Sequence, residues 1–309
     1  MPSLREVIQQ AELRLRQGPH PDRARQDAES LMRHLLGRDH AWLVTHWNEP
    51  IPRDLAAQFE ALLARRASGE PIQYITGQAE FYGLSFRVTP AVLIPRPETE
   101  HLVEKVLQLA KDLDPKPSIT AQMPSAPSIP RLMGDGWESD PAPARILDIG
   151  AGSGAIAIAI AHHLPQAQIT AIDLSSAALD IARENAALNR AAIRFLQGDL
   201  LTPVAGERFD VIVSNPPYVP AIDRDSLSVE VRDHEPALAL FAGSDGLDLY
   251  RRLIPAAFAA LVPGGWLALE IGYGQSDAIA ALLAQAGLHS IAFAPDLQGI
   301  LRVAIARRP

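Results

Sequence analysis

The sequence predicts an α/β fold in which a mostly parallel, seven-stranded sheet with helices on both faces follows a small N-terminal helical bundle. Two patterns lead to this prediction. From Ala144 onward, seven short apolar segments alternate with segments of helical period, whereas residues 1 to about 70 carry helical periods only. The chain has 309 residues, of which 48% are hydrophobic, so it is long enough for two domains with normal cores.

Residues 1–75 are predicted to form the helical bundle. Gly37 and Gly69 stand where its helices are expected to end. The N-terminus is amphipathic and charged throughout, so we do not expect a signal peptide. Two sets of apolar residues each fall on one helical face: Ala28, Leu31, Met32, Leu35 and Leu36 in the first, and Leu55, Phe59, Leu62 and Leu63 in the second.

Residues 76–111 are predicted to connect the bundle to the sheet. The segment "EFYGLSFRV" alternates on either side of Gly83 and Leu84, which predicts a β-hairpin with these two residues in its turn. A helix is then expected to open at Glu98, Thr99 and Glu100, and its apolar face includes Leu102, Val106 and Leu109.

The segment 112–143 has a different composition. Seven of its 32 residues are proline, mixed with Ser, Ala and Gly, and it has no apolar period. Such a composition predicts an exposed linker or a disordered insertion without a role in chemistry.

Residues 144–309 are predicted to form the α/β domain. The last two strands are close in sequence, so we expect them to pair antiparallel at an edge of the sheet. Ligands of parallel sheets bind beyond the carboxyl ends of the strands, so residues at those ends are the site candidates. The predicted strands are "ARILDIG", "AQITAID", "IRFLQGD", "FDVIVSN", "GWLALEIG", "HSIAFAPD" and "ILRVAIAR".

A glycine-rich loop follows the first of these strands. Glycines permit a tight turn and let backbone N–H groups approach a ligand near the start of a helix. A cofactor loop is one interpretation; a nucleotide loop of another type or a plain turn also fits. The loop consists of Gly150, Ala151, Gly152, Ser153 and Gly154.

Two acidic residues end the next two strands. Asp173 follows Gly154 by 19 residues, where a carboxylate can accept both hydroxyls of a ribose. It could also cap a helix that starts at Ser175 or Ser176, and the two roles are compatible. Asp199 is placed to bind an adenine amino group, although a turn-forming aspartate explains it as well.

The tetrapeptide Asn215, Pro216, Pro217 and Tyr218 ends the fourth strand. Proline cannot donate to a sheet, so the strand stops abruptly and the next residues are held rigidly. The Asn215 side-chain oxygen and the Pro216 carbonyl can accept two N–H bonds, and Tyr218 can pack on a flat group. This arrangement suits a planar amide or amino nitrogen. An ordinary end of a strand with a surface tyrosine is the alternative.

These motifs together resemble the class I, Rossmann-like, S-adenosylmethionine-dependent methyltransferases, and "NPPY" resembles those that modify amide or amino nitrogens. Four further segments resemble the HemK-like (PrmC) peptide-chain release factor glutamine methyltransferases more narrowly. They are "PIQYITGQAEFYGLSFRVTPAVLIPRPETE", the N-terminal bundle, "HEPALALFAGSDGLDLY" and "DLQGILR". The resemblance covers nearly the whole chain except 112–143.

The resemblance implies transfer of a methyl group from S-adenosylmethionine to the side-chain amide nitrogen of the glutamine in the Gly-Gly-Gln motif of class-1 release factors. The product would be S-adenosylhomocysteine, and we expect a cytoplasmic monomer that uses no metal. Asn215, Pro216 and Tyr218 would be catalytic, and together with Pro217 they would hold the glutamine. The cofactor would contact residues 150–154, Asp173, Asp199, Leu200 and Asn215. Position 200 can be aromatic in the family, so Leu200 would pack adenine with an aliphatic side chain.

Composition bears on the competing functions. The formal charge of −8 argues against a partner held by its phosphate backbone, and the absence of cysteine excludes thiolate metal sites. A methyltransferase of DNA or RNA amino nitrogens is the first alternative, and a non-catalytic S-adenosylmethionine-binding module is the second. Arg96, Glu98 and Glu100 admit a catalytic interpretation, or a capped helix start with a surface salt bridge.

Overall fold

The computed structural model describes residues 1–111, 113 and 143–309. Its helices are α1 (Leu4–Leu15), α2 (Ala24–Leu36), α3 (His40–Thr45), α4 (Arg53–Ala67), α5 (Ile72–Thr76), α6 (Pro97–Lys111), α7 (Ala155–His163), α8 (Ser176–Leu188), α9 (Val229–His234), α10 (Asp248–Ala260) and α11 (Ser276–Gln285). Its strands are β1 (Gln78–Phe81), β2 (Leu84–Arg87), β3 (Arg145–Ile149), β4 (Gln168–Asp173), β5 (Ile193–Gln197), β6 (Phe209–Ser214), β7 (Leu261–Glu270), β8 (His289–Pro295) and β9 (Leu301–Arg307).

Helices α1 to α5 form the N-terminal bundle around one apolar cluster. The predicted faces are the buried ones: Leu31 and Met32 of α2 and Phe59 and Leu63 of α4 pack in this cluster. Ser3 caps α1 in a reciprocal arrangement with the Glu6 side chain. Arg66 and Asp27 are also buried there, and they form an ion pair with 2.6 Å between Nε and Oδ2.

The seven-stranded sheet has the order β5-β4-β3-β6-β7-β9-β8. Strands β3 to β7 pair in parallel, whereas β9 pairs antiparallel with both β7 and β8. The predicted α/β fold is therefore confirmed, and so is the antiparallel pairing of the last two strands at one edge. Helices α10 and α11 pack on one face of the sheet, and α6 and α7 pack on the other.

The hairpin of β1 and β2 is present, but its turn lies one residue earlier than predicted. Phe81 pairs with Leu84, so Tyr82 and Gly83 form the turn, with φ of 51° and 71°. A two-residue turn with positive φ at both positions matches the twist of the flanking strands, and this explains why the turn excludes Leu84.

The hairpin and α6 pack against the same apolar cluster as the central strands. Phe86 and Val106 lie in this cluster together with Ile146 and Val211. The proline-rich segment predicted at 112–143 lies outside the described residues, apart from positions 113 and 143. Within the described ranges, no helix is long and apolar enough to cross a membrane.

Candidate active site

A cavity of about 410 Å³ lies at the carboxyl ends of the parallel strands. This volume is within the range of small-molecule sites. Two of the predicted site residues, Gly154 and Tyr218, do not line the cavity. The predicted residues that line it are Gly150, Ala151, Gly152, Ser153, Asp173, Asp199, Leu200, Asn215, Pro216 and Pro217.

The three glycines of the loop differ in what surrounds them. All have positive φ: 77° at Gly150, 54° at Gly152 and 81° at Gly154. A Cβ on Gly152 would meet no atom within 4 Å, so it would project into open space. A Cβ on Gly154 would lie 3.0 Å from Ile158 Cδ1 and 3.2 Å from Ala182 Cβ. Gly152 thus leaves room in the cavity, whereas Gly154 lets α7 approach α8.

Asp173 ends β4 and holds the glycine loop. Its Oδ2 accepts a hydrogen bond from the Gly152 N–H, and its Oδ1 accepts one from the Ser175 N–H, each at 2.8 Å. Ser175, rather than Asp173, caps α8 by accepting from the Ala178 N–H, so the capping interpretation of Asp173 is wrong. Each carboxylate oxygen keeps a further lone pair, with which Asp173 can accept from a ligand.

Asp199 and Leu200 lie beyond the end of β5. The Asp199 carboxylate pairs with the Arg252 guanidinium of α10. Leu200 has a φ of 51°, a region that residues other than glycine seldom adopt and that is concentrated at functional sites. The Leu200 side chain also packs against the apolar cluster beneath the cavity.

Asn215 lies at the end of β6 and is hydrogen-bonded to α6. Its Nδ2 donates to the Thr99 hydroxyl at 3.1 Å, although the two residues are 116 positions apart. The Thr99 hydroxyl donates in turn to Glu270 Oε2 at 2.6 Å. Thr99 lines the cavity beside Asn215, whereas Glu270 lies behind it at the end of β7.

Glu270 also receives a hydrogen bond from Tyr218. The Tyr218 hydroxyl donates to Glu270 Oε1 at 3.3 Å. Burial raises the pKa of Glu270 to about 7, although the bonds from Thr99 and Tyr218 lower it. Burial also raises the pKa of the Tyr218 phenol well above its ordinary value, and the nearby Glu270 charge adds to this. Tyr218 is therefore a neutral hydrogen-bond donor near neutral pH.

The charged start of α6 differs from the predicted surface salt bridge. Arg96 lines the cavity and forms an ion pair with Glu235, so this pair joins two segments that are distant in the sequence. The Glu235 side chain is only 1% exposed, so the pair is not a surface salt bridge. Burial raises the pKa of Glu235, and the Arg96 charge opposes that rise. Glu100 accepts a hydrogen bond from the Tyr82 N–H at 2.7 Å and so fixes the hairpin turn to α6.

The polar residues that sequence reasoning missed near the site include Thr99 as a cavity residue, Arg252, Glu270 and Glu235. Thr99 was assigned only to the start of a helix. A signal for Glu270 was present, because "LALEIG" places a lone carboxylate at the end of a strand that is otherwise buried. No group of three or more His, Asp or Glu residues that could hold a metal occurs among residues 1–111, 113 and 143–309.

The residues around the cavity fit S-adenosylmethionine. Positions without Cβ at Gly150 and Gly152 leave room for a ligand against the loop, and Asp173 offers acceptors for ribose hydroxyls. Apolar side chains from β3 and β4, among them Ile149 and Ile172, line the same space and suit a flat adenine ring.

Comparisons with known proteins agree with this fit. Residues 6–77 match the family "PrmC N-terminal domain", and residues 138–230 match "Methyltransferase small domain". A release factor glutamine methyltransferase from Moorella thermoacetica is 41% identical over 309 residues, covering 99% of each chain. One from Koribacter versatilis is 42% identical over 286 residues, covering 92% of this chain and 91% of the relative.

A solved structure supports the fold. The hMettl16 catalytic domain in complex with MAT2A 3′UTR hairpin 1 matches with a TM-score of 0.53 at 16% identity, covering 83% of this chain and 80% of that one. This likeness concerns the architecture only. Because relatives about 40% identical match over more than nine-tenths of its length, the chain belongs to the release factor glutamine methyltransferases, a family of S-adenosylmethionine-dependent methyltransferases.

Proposed function

We propose that this enzyme methylates the side-chain amide nitrogen of the glutamine in the Gly-Gly-Gln motif of class-1 release factors and thereby modulates translation termination. The observation that carries the proposal is the position of Asn215 and Pro216 at the wall of the cofactor-sized cavity in a chain of this family. These two residues offer the acceptors that a primary amide needs.

The cofactor would be held by the glycine loop, Asp173 and the residues that follow β5. S-adenosylmethionine, when bound, supplies a methyl group activated by the sulfonium sulfur. Asp173 can bind the ribose hydroxyls, and Asp199 with Leu200 can bind the adenine. Arg252, which also lines the cavity, pairs with the Asp199 carboxylate and so holds it in place.

Asn215 and Pro216 would orient the glutamine amide. An amide nitrogen is a poor nucleophile because its lone pair is delocalised into the carbonyl group. Acceptors on both N–H groups favour the pyramidal, charge-bearing transition state and aim the lone pair at the methyl group. The Asn215 side-chain oxygen and the Pro216 carbonyl oxygen would be these acceptors.

Methyl transfer leaves one proton too many on the nitrogen. It can pass to water, so the mechanism needs no general base. Glu270 does not line the cavity, and its carboxylate accepts hydrogen bonds from Thr99 and Tyr218, so we assign it no proton transfer. Tyr218 would contribute the packing surface of its ring next to Pro217, while its hydroxyl remains bonded to Glu270.

The N-terminal bundle would recognise the release factor, and residues 144–309 would bind the cofactor with α6 completing the wall of the cavity. The two parts meet through Glu230 of α9, which pairs with Arg66 and lies 3.3 Å from His20 Nε2. Gly69 permits this approach, because a Cβ there would lie 2.6 Å from Val229 Cγ1. We expect the enzyme to act as a monomer in the cytoplasm, where release factors work.

The test is to incubate the protein with labelled S-adenosylmethionine and a purified class-1 release factor, followed by mass spectrometry of the Gly-Gly-Gln peptide. A gain of one methyl group on the glutamine is expected. A matched release factor with Gly-Gly-Asn in place of Gly-Gly-Gln should stay unlabelled. Labelling of DNA or RNA instead would favour a nucleic-acid methyltransferase, and cofactor binding without any transfer would favour a sensor.

A further inference from the structure

We infer that Thr99 is a positioning residue, whose hydroxyl fixes the Asn215 side-chain amide with its oxygen free for the substrate. The inference rests on the proposed function, since it concerns how Asn215 meets the glutamine. It comes from a chain of three groups in contact: Asn215 Nδ2 lies 3.1 Å from Thr99 Oγ1, and that oxygen lies 2.6 Å from Glu270 Oε2.

The number of protons in this series of hydrogen bonds determines which group donates and which accepts. A threonine hydroxyl has one proton, and a carboxylate can only accept. When Glu270 is ionised, that is above its pKa of about 7, the Thr99 proton is committed to it, and towards Asn215 the hydroxyl offers only a lone pair. Asn215 must then present its NH₂ group to Thr99, which leaves its Oδ1 as the end available to a substrate.

The direction matters because the two ends of an asparagine amide have nearly the same shape but opposite polarity. Rotated by 180°, Asn215 would present N–H groups to a glutamine amide nitrogen that also carries N–H groups. Two donors facing each other would leave both unpaired in a partly buried site. Rotation would also place Asn215 Oδ1 against the Thr99 oxygen, where no proton lies between the two acceptors.

The series of hydrogen bonds is held in place at its Glu270 end. Thr99 is 4% exposed and Glu270 is 2% exposed. Tyr218 donates to the other carboxylate oxygen of Glu270, and the Tyr250 hydroxyl donates to the backbone carbonyl of Glu270 at 2.6 Å. Bonds on both oxygens and on the backbone keep the Glu270 carboxylate still, and so fix where the Thr99 proton points.

The variants Thr99→Val and Thr99→Ser test the inference. Valine has the shape of threonine but no hydroxyl, and serine keeps the hydroxyl. With a release factor as substrate, Thr99→Val should lower kcat by roughly 10- to 100-fold, less than the loss of Asn215 itself. Thr99→Ser should stay within about threefold of the wild type, because the hydroxyl alone carries the effect.

Binding measurements separate positioning from general damage. The dissociation constant of S-adenosylhomocysteine should change by less than about twofold in Thr99→Val, because Asn215 Oδ1 faces the glutamine and not the cofactor. Thr170→Val is the matched control, since Thr170 is a buried threonine of β4 that does not line the cavity. Its kcat should equal that of the wild type.

Two results would overturn the inference: a Thr99→Val enzyme with the kcat of the wild type, or a Thr99→Ser enzyme damaged as much as Thr99→Val. If Thr99→Val does not fold, Thr99→Ala, which puts no methyl group in place of the hydroxyl, carries the same expectation. Failure of the wild type to methylate any release factor would overturn the proposed function and the inference with it. Methylation by the wild type together with an unaffected Thr99→Val would overturn the inference alone.

Discussion

The glycine loop separates two effects that a single substitution usually mixes, namely loss of cofactor affinity and loss of stability. Gly152 lines the cavity, and a Cβ there would touch no protein atom. Gly154 does not line the cavity, and a Cβ there would press on Ile158 and Ala182. We therefore predict opposite outcomes for Gly152→Ala and Gly154→Ala.

The expected magnitudes follow from these contacts. Alanine at either position keeps a left-handed φ, which costs about 1–2 kcal/mol. At Gly154 the contacts of 3.0 and 3.2 Å add overpacking of about 1–3 kcal/mol, so the total loss of stability is roughly 2–5 kcal/mol. At Gly152 the added methyl occupies space that the ligand needs, which should weaken S-adenosylmethionine binding by about tenfold or more.

Urea unfolding of the ligand-free proteins measures the first effect, and titration calorimetry with S-adenosylhomocysteine measures the second. Gly154→Ala should unfold at clearly lower urea and, while folded, should bind with nearly normal affinity. Gly152→Ala should lose less stability but most of its affinity. If the two variants lost affinity equally and stability equally, the separate roles assigned to these glycines would be refuted.

Three further predictions concern the polar groups of the site. Asp173→Ala should weaken cofactor binding by about 1.5–3 kcal/mol, the range for hydrogen bonds to a charged group, and unchanged affinity in calorimetry would remove Asp173 from the site. Asn215→Ala should lower the single-turnover rate by about two to three orders of magnitude with little change in cofactor affinity. Tyr218→Phe should lower this rate less than Tyr218→Ala. A single-turnover rate of Asn215→Ala close to that of the wild type would contradict the mechanism. Glu270 has a pKa raised from 4.5 to about 7, so its contribution to stability is present below about pH 4.5 and is lost as the pH rises to about 7. The melting temperature of Glu270→Gln, relative to that of the wild type, should therefore rise between about pH 4.5 and pH 7 and stay constant above pH 7. Parallel plots of melting temperature against pH for the two proteins would rule this out.

The sheet and its loops could be predicted because each depends on local sequence. Apolar periods fix which segments become strands or helices, and the carboxyl ends of parallel strands must meet at one edge. Gly152, Asp173 and Asn215 were therefore expected near one another before any side chain was placed. The cavity that they line is a consequence of the topology.

The polar chain behind Asn215 could not be predicted in this way. Thr99 and Glu270 are 171 positions apart, and neither stands in a motif that indicates the other. Their pairing depends on how α6 packs across β6 and β7, which is a result of tertiary packing. The same holds for Arg96 and Glu235, where the sequence indicated a helix start and the structure has a half-buried ion pair.

The contacts of α6 also bear on where the catalytic unit begins. Arg96 and Thr99 line the cavity, and Leu102 and Val106 lie in the apolar cluster of the central strands. The proline-rich segment thus joins two parts of one packed unit, since α6 ends at Lys111 and β3 begins at Arg145. Lengthening such a connection costs little, because loop entropy grows only with the logarithm of length. A fragment that starts at Ala144 would lack Thr99 and the helix α6, which covers part of one face of the sheet. A fragment meant to bind cofactor without recognising release factor should instead begin at the first residue of β1, Gln78.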